Sequence, residues 1–174
     1  DLRVVEAHPE RTRALLASAP HETRWAGAAL RALASPGERV MARKPHVAYF
    51  AGLDFVPLPE IESFPDLFRA ARAGGARYLC ISGIEAALRR PLELLADPNV
   101  DLPGLEPIAY RSLDSARFYA LYRFTEPRVS EAAFQESLLA AARRFVARRP
   151  GAAGPLSFLG GTLTGLARFR DALA

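Results

Sequence analysis

The chain has 174 residues, of which 50% are hydrophobic and 24% charged, a composition typical of a soluble domain with one core and not of a disordered protein. Its net charge of +4 comes mainly from arginines scattered among acidic residues, whereas a nucleic-acid-binding face clusters basic and aromatic side chains. We therefore predict no nucleic-acid partner. The single cysteine, Cys80, excludes an internal disulfide, and its place in an apolar run predicts a buried, unreactive thiol.

Residues 9–33 predict two helices. Residues 9–19 form a short helical pattern, and residues 23–33 form a stronger one that ends at the turn sequence Ser-Pro-Gly of residues 35–37. Trp25 lies on the apolar stripe of the second helix, so we expect it in the core.

Residues 39–59 predict a compact strand, helix and strand. The first strand covers residues 40–42 and stops before Pro45, which has no N–H group to donate. Two helical turns follow from His46, with Gly52 as their stop, and residues 55–59 read as the second strand. A strand, a short helix and a strand in this order imply a parallel sheet.

The next elements continue the alternation of helix and strand. Ser63 is a predicted helix cap, and the glycines at 74 and 75 end that helix. Residues 78–81 are a continuous apolar run, typical of a strand buried on both faces. Pro91 lies inside the helical pattern of residues 84–96, so we expect a kink or two shorter helices there.

The remaining pattern predicts a hairpin and a long helix. Residues 105–111 and 117–124 read as antiparallel strands, and residues 130–149 as an amphipathic helix that packs on the sheet. The predicted fold is thus α/β, with a small, mainly parallel Rossmann-like sheet, helices on both faces and a closing antiparallel hairpin. We expect an α/β domain over residues 1–124 and a C-terminal helical extension over residues 125–174.

One cluster of side chains is a candidate ligand site. Arg43, Lys44 and His46 follow the first strand, and Tyr49 lies one helical turn further on. Ligands of open α/β sheets bind beyond the carboxyl ends of the strands, so the cluster could hold a phosphate or pyrophosphate. The alternative is a solvent-facing loop whose cations balance nearby carboxylates, and the sequence leaves both interpretations open.

Catalytic and metal-binding patterns are missing from the sequence. There is no phosphate-binding Walker loop or nucleophile elbow, and the three histidines are too far apart for a zinc motif. Glu60 and Glu62 form a carboxylate pair after a strand, which could act in acid–base chemistry, but a solvated loop is the simpler interpretation. We predict no catalytic residue, metal or cofactor in this segment.

Several short motifs in a fixed order resemble one protein family. They include Trp25 and Leu30, and then PGERVMARKP at 36–45, AYFAG at 48–52, VPLP at 56–59, AGGARYL at 73–79, RPL at 90–92 and the strand at 118–124. Together they resemble the extracytoplasmic C-terminal domain of multi-pass membrane glycosyltransferases, the bacterial relatives of dolichyl-phosphate-mannose protein mannosyltransferases. The likeness covers residues 22–124, and the segment after Phe124 departs from it.

The resemblance implies a role and a location. The family uses a polyprenyl-phosphate sugar as donor, and its catalytic acids lie in loops between transmembrane helices, so none of them can be assigned to residues of this chain. It implies a non-catalytic domain on the extracytoplasmic face that docks on the transmembrane part of the same polypeptide or positions an acceptor. The charged start at Asp1, with no signal peptide, agrees with a piece of a longer or processed chain. The alternative is a free-standing α/β domain that binds a small phosphorylated or nucleotide ligand at the Arg43 loop.

Overall fold

The structure is a computed structural model that describes residues 21–113, 117–126 and 130–148. The helix predicted over residues 9–19, the short segment before it and the weak helix predicted after residue 162 lie outside the described residues. The elements in chain order are α1 (His21–Leu33), β1 (Arg39–Ala42), α2 (His46–Ala51), β2 (Asp54–Pro57), α3 (Phe64–Gly74), β3 (Tyr78–Ser82), α4 (Gly83–Leu88), α5 (Arg90–Glu93), a 3₁₀ helix (Leu94–Ala96), β4 (Leu105–Ser112), β5 (Phe118–Phe124) and α6 (Glu131–Arg148).

The five strands form one open, mixed sheet in the order β2-β1-β3-β5-β4. Strand β1 pairs in parallel with both β2 and β3, whereas β5 pairs antiparallel with β3 and with β4. The α/β class is confirmed, and the β4–β5 antiparallel pair is present as predicted. The prediction of a mainly parallel sheet is matched only in part, because β5 inserts beside β3 and makes half of the four pairings antiparallel.

The unit β1-α2-β2 forms as its sequence predicts. Pro45 precedes the helix, and Gly52 ends it with a φ of 71°, a left-handed conformation that glycine adopts without strain. The Gly52 N–H donates to main-chain carbonyls of the last helical turn, so the chain reverses at once into β2. The short crossover leaves the residues that follow β1 at the carboxyl edge of the sheet.

The caps of α3 and α4 fix where the next elements begin. The Ser63 side chain accepts a hydrogen bond from the Asp66 N–H, which confirms the predicted cap, and Gly75 ends α3 at a φ of 63°. Ser82 caps α4 through a capping box with Glu85. The helical pattern around Pro91 is divided into α4, α5 and a 3₁₀ turn, in agreement with the predicted break.

Alternate residues of the sheet pack into two cores, one on each face. On one face, Leu79 and Ile81 of β3 pack with α3 and α6; on the other, Tyr78 and Cys80 pack with α1 and α2. The burial of Cys80 is confirmed. Helix α6 contributes buried residues to the first core, so the predicted packing of this helix on the sheet is confirmed.

Three local contacts show how closely the layers fit. A Cβ atom added at Gly27 of α1 would lie 2.3 Å from the Phe50 Cβ of α2, so only glycine permits this crossing. The buried Tyr122 hydroxyl donates to the Leu95 carbonyl at 2.7 Å, which ties β5 to the 3₁₀ turn. Trp25 is half-buried against the second core, with the Arg111 guanidinium 3.9 Å from its ring centroid.

Candidate functional site

A pocket of about 180 Å³ opens at the carboxyl ends of β1 and β3. Ala42 and Ser82 are the last residues of these strands, and both line the pocket. Because the strands are parallel neighbours, the loops that leave them meet at this edge of the sheet. The lining residues are Glu22, Thr23, Ala42, Arg43, Lys44, His46, Val47, Cys80, Ser82, Ile84, Glu85 and Tyr119.

The structure brings three of the four predicted site residues into this pocket. Arg43, Lys44 and His46 form part of its wall. Tyr49 does not line it; this side chain is 78% exposed on α2 and its ring contacts Phe50 edge-on. The assignment of these residues to a ligand site stays a prediction.

Arg43 is held by a buried carboxylate. Its Nε atom donates to the Glu85 Oε1 atom at 2.7 Å, with the Glu85 side chain 7% exposed and the Arg43 side chain 29% exposed. The Glu85 Oε2 atom accepts hydrogen bonds from the Ser82 N–H at 2.8 Å and from the Ser82 hydroxyl. Both carboxylate oxygens of Glu85 are therefore satisfied, and one of the two permanent cations of the predicted cluster is already paired.

Lys44 and His46 are the pocket residues that remain open to a ligand anion. Both are exposed, and neither forms an ion pair with any residue that the structure describes. Glu22 also lines the pocket, so the permanent charges of its wall are two cations and two carboxylates. The site is thus less cationic than residues 43–46 alone suggest, and Lys44 is the cation best placed to bind an anion.

The inner wall is largely apolar and does not ionise near neutral pH. Burial raises the pKa of the Cys80 thiol well above its ordinary value, so the thiol is not available as a nucleophilic thiolate. Burial likewise raises the pKa of the Tyr119 hydroxyl. With Val47 and Ala42 beside them, these groups form a floor that favours an uncharged part of a ligand.

The carboxylate pair at Glu60 and Glu62 lies on an exposed loop. Glu60 accepts a hydrogen bond from the Arg89 Nη2 atom at 3.0 Å, while the Arg89 Nε atom donates to the Pro59 carbonyl at 3.1 Å. Glu62 is exposed. This arrangement matches the simpler interpretation of a solvated loop anchored by Arg89.

Sequence reasoning missed the residues that organise the pocket. The Ser82-x-x-Glu85 spacing is a capping-box signature, so the local bond could have been found from the sequence. The partner of Glu85, however, is Arg43, 42 residues away, and no local signal connects the two. Glu22 enters the pocket from α1, again through tertiary packing alone.

The described residues contain neither a metal-binding cluster nor a membrane-spanning helix. Among the described residues no cluster of three or more His, Cys, Asp or Glu side chains could hold a metal ion. No helix within the described ranges is long and apolar enough to cross a membrane.

Comparisons with known proteins give no relative. No family model, no curated protein and no solved structure matches the chain.

Proposed function

We propose that the chain is a non-catalytic, extracytoplasmic domain of a membrane glycosyltransferase that uses a polyprenyl-phosphate sugar donor. In that role the domain docks on the transmembrane portion of the same polypeptide or positions the acceptor. The motifs that carry the resemblance are spread over residues 22–124, and most fall in one unit of the fold. They supply β1, α2, β2, the end of α3 and the start of β3, which together build the parallel half of the sheet.

The pocket at the edge of this unit is the observation that carries the proposal. The motif PGERVMARKP runs through β1 and leaves Arg43 and Lys44 in the pocket wall. Residues outside the motifs, Glu85 and Ser82, fix Arg43 in place. A motif that ends at a formed pocket suits a domain that binds part of a substrate.

The state of the acidic residues supports a binding role over a catalytic one. A general base needs a carboxylate that can accept the proton of a reacting group. Both oxygens of Glu85 are already occupied by Arg43 and Ser82, and its side chain is buried. Glu85 therefore serves as an anchor of the pocket wall and not as a general acid or base.

The first test is an assay of sugar transfer. We expect the purified chain, incubated with polyprenyl-phosphate sugars and an acceptor, to form no product, while the full-length polypeptide forms product and the same polypeptide without this domain forms much less. The reading frame upstream of Asp1 should encode several apolar segments of about 20 residues each. Transfer by the isolated chain, or a reading frame without such segments, would refute the proposal.

The second candidate is a free-standing domain that binds a small phosphorylated ligand. It is favoured by Lys44 at the mouth of the pocket, with His46 beside it. At about 180 Å³ the pocket is smaller than the roughly 300–1,000 Å³ of typical ligand sites, so a phosphate or a single sugar phosphate suits it better than a whole nucleotide.

Titration calorimetry with inorganic pyrophosphate tests this candidate. One charge-assisted bond contributes about 1.5–3 kcal/mol, so Lys44→Ala should weaken binding about tenfold or more. Arg31→Ala removes an exposed cation at the far end of α1 and serves as the matched control. No binding by the unmodified chain, or an equal loss in both variants, would exclude an anion site at Lys44.

A further inference from the structure

Helix α4 has the reverse of the usual polarity of a surface helix. It buries its single charged residue, Glu85, and exposes Ile84 and Leu88, whose residues are 47% and 65% exposed. Ala87 is also exposed. Helices at a protein surface normally bury apolar residues and present charged ones, so an exposed apolar face marks a contact with something other than water.

The contacts of Glu85 fix this orientation. Its carboxylate is held from one side by the Arg43 guanidinium and from the other by the Ser82 main chain and hydroxyl. The helix cannot rotate about its axis without breaking these bonds. Ile84 and Leu88 lie four residues apart, one turn of the helix, and therefore form one continuous apolar patch.

A lysine, a histidine and an exposed tyrosine lie beside this patch. Ile84 lines the same pocket as Lys44 and His46, so the patch shares one edge of the sheet with these two side chains. Tyr49 follows His46 by three residues on α2 and is 78% exposed. We call Lys44, His46, Tyr49, Ile84 and Leu88 together the rim surface.

The carboxylates near the rim surface are mostly engaged. Glu85 is paired with Arg43 beneath it, and Glu60 is paired with Arg89 next to the end of α4. Glu22 reaches the pocket from α1, and not from α2 or α4, which carry most of the rim surface. The rim surface therefore combines apolar side chains with the Lys44 ammonium and contains no carboxylate of its own.

We propose that the rim surface binds the interface of an anionic lipid bilayer, with Ile84 and Leu88 at the boundary between headgroups and acyl chains. Tyrosine is favoured at the headgroup level, and lysine is attracted to lipid phosphates, so each exposed group meets its complement. A second copy of the chain fits less well, because five side chains fall short of the roughly 20–30 residues that each partner contributes to a stable interface. The proposal rests on the proposed function for the presence of a membrane.

Vesicle binding by the whole chain tests the proposal. Partitioning is measured by flotation over a range of lipid concentrations, with phosphatidylcholine vesicles that contain or lack phosphatidylglycerol. We expect binding to the anionic vesicles that weakens at high salt, since attraction to one lysine gives about a fivefold gain in affinity. Leu88→Ser should lower the partition coefficient at least about fivefold, because it removes the most exposed aliphatic side chain of the rim surface.

A matched control distinguishes binding by the rim surface from nonspecific hydrophobic binding. Leu33 is 47% exposed at the end of α1, about 15 Å along the helix from Thr23 at the pocket. Leu33→Ser should leave vesicle binding unchanged. An equal loss in both variants, or no binding of the unmodified chain to anionic vesicles, would overturn the proposal.

Analytical sedimentation without vesicles tests whether a second copy of the chain, and not a bilayer, binds the rim surface. A dimer that is lost in Leu88→Ser would assign the rim surface to a second copy of the chain and overturn the membrane assignment; a monomer supports it. Failure of vesicle binding is distinguishable from failure of the proposed function, because sugar transfer by the full-length polypeptide is measured as product and not as partitioning.

Discussion

Removal of the Arg43 guanidinium tests whether the pocket wall depends on its ion pair with Glu85. Arg43→Met keeps most of the aliphatic stem and deletes the charge. The Glu85 Oε1 atom then loses its partner at 2.7 Å, while Oε2 keeps both bonds from Ser82. One charge-assisted bond to a buried carboxylate contributes about 1.5–3 kcal/mol, and the partial exposure of Arg43 places the expected loss near the lower end, at about 2 kcal/mol.

The assay is urea and thermal unfolding of the purified chain. For a domain of this length a loss of about 2 kcal/mol lowers the melting temperature by roughly 4–8 °C. Lys44→Met is the matched control, since Lys44 has no ion pair among the described residues and its replacement should change the free energy of unfolding by less than about 0.5 kcal/mol.

A double-mutant cycle with Glu85→Gln isolates the pair. We expect a coupling free energy of at least about 1 kcal/mol between the two positions, because they are in direct contact. Equal, small effects of Arg43→Met and Lys44→Met, together with no coupling to Glu85, would refute the reasoning. The pocket wall would then be a loop whose charges do not contribute to folding.

Three further changes test the packing and the electrostatics of the fold. Gly27→Ala should reduce the free energy of unfolding by about 1–3 kcal/mol in urea titrations, because its Cβ would overlap the facing helix; wild-type stability would contradict the close crossing. Tyr122→Phe should cost about 1–2 kcal/mol in the same assay, since a buried main-chain carbonyl loses its donor, and an unchanged midpoint would argue against that bond. Hydrogen bonds from the Ser35 N–H and the Tyr78 hydroxyl lower the pKa of Glu38, so its contribution is fully present above the unfolded value of about 4.3 and is lost as the pH falls through the folded value. The stability gap between wild type and Glu38→Gln should therefore be larger at pH 7 than near pH 3, and a gap independent of pH would exclude this contribution.

Local signals predicted most elements within two or three residues of their observed bounds. Ser63 and Gly52 act as cap and stop through bonds to residues close by in the chain, so the sequence contains all the information that they need. Pro91 likewise breaks a helix by its own covalent structure. The antiparallel pair was also predictable, because its strands are adjacent in sequence and the second has a period-two pattern.

The order of the strands was not accessible in the same way. Strand β3 pairs with β1 on one side and with β5 on the other, across separations of about 40 residues in the chain. Side-chain periodicity reports only that β3 is buried on both faces and not which strands flank it. The parallel β1-α2-β2 unit suggested that parallel pairing continues, whereas the sheet is mixed.

The candidate site shows the same division between local and distant information. The position of Arg43, Lys44 and His46 after β1 correctly placed them at the carboxyl edge, where a pocket is found. The sequence did not show which of these cations is already paired with a carboxylate, because the partner of Arg43 comes from α4. Tyr49 has the expected helical spacing from His46 but lies outside the pocket lining.

The Arg43–Glu85 pair connects the pocket to the surface around it. Glu85 points inward to meet Arg43 and the Ser82 cap, while Ile84 and Leu88 of the same short helix are exposed. The ion pair therefore anchors the element that carries the exposed apolar residues beside the pocket. A substitution that breaks the pair should loosen α4, so the rim surface and the stability of the pocket should change together.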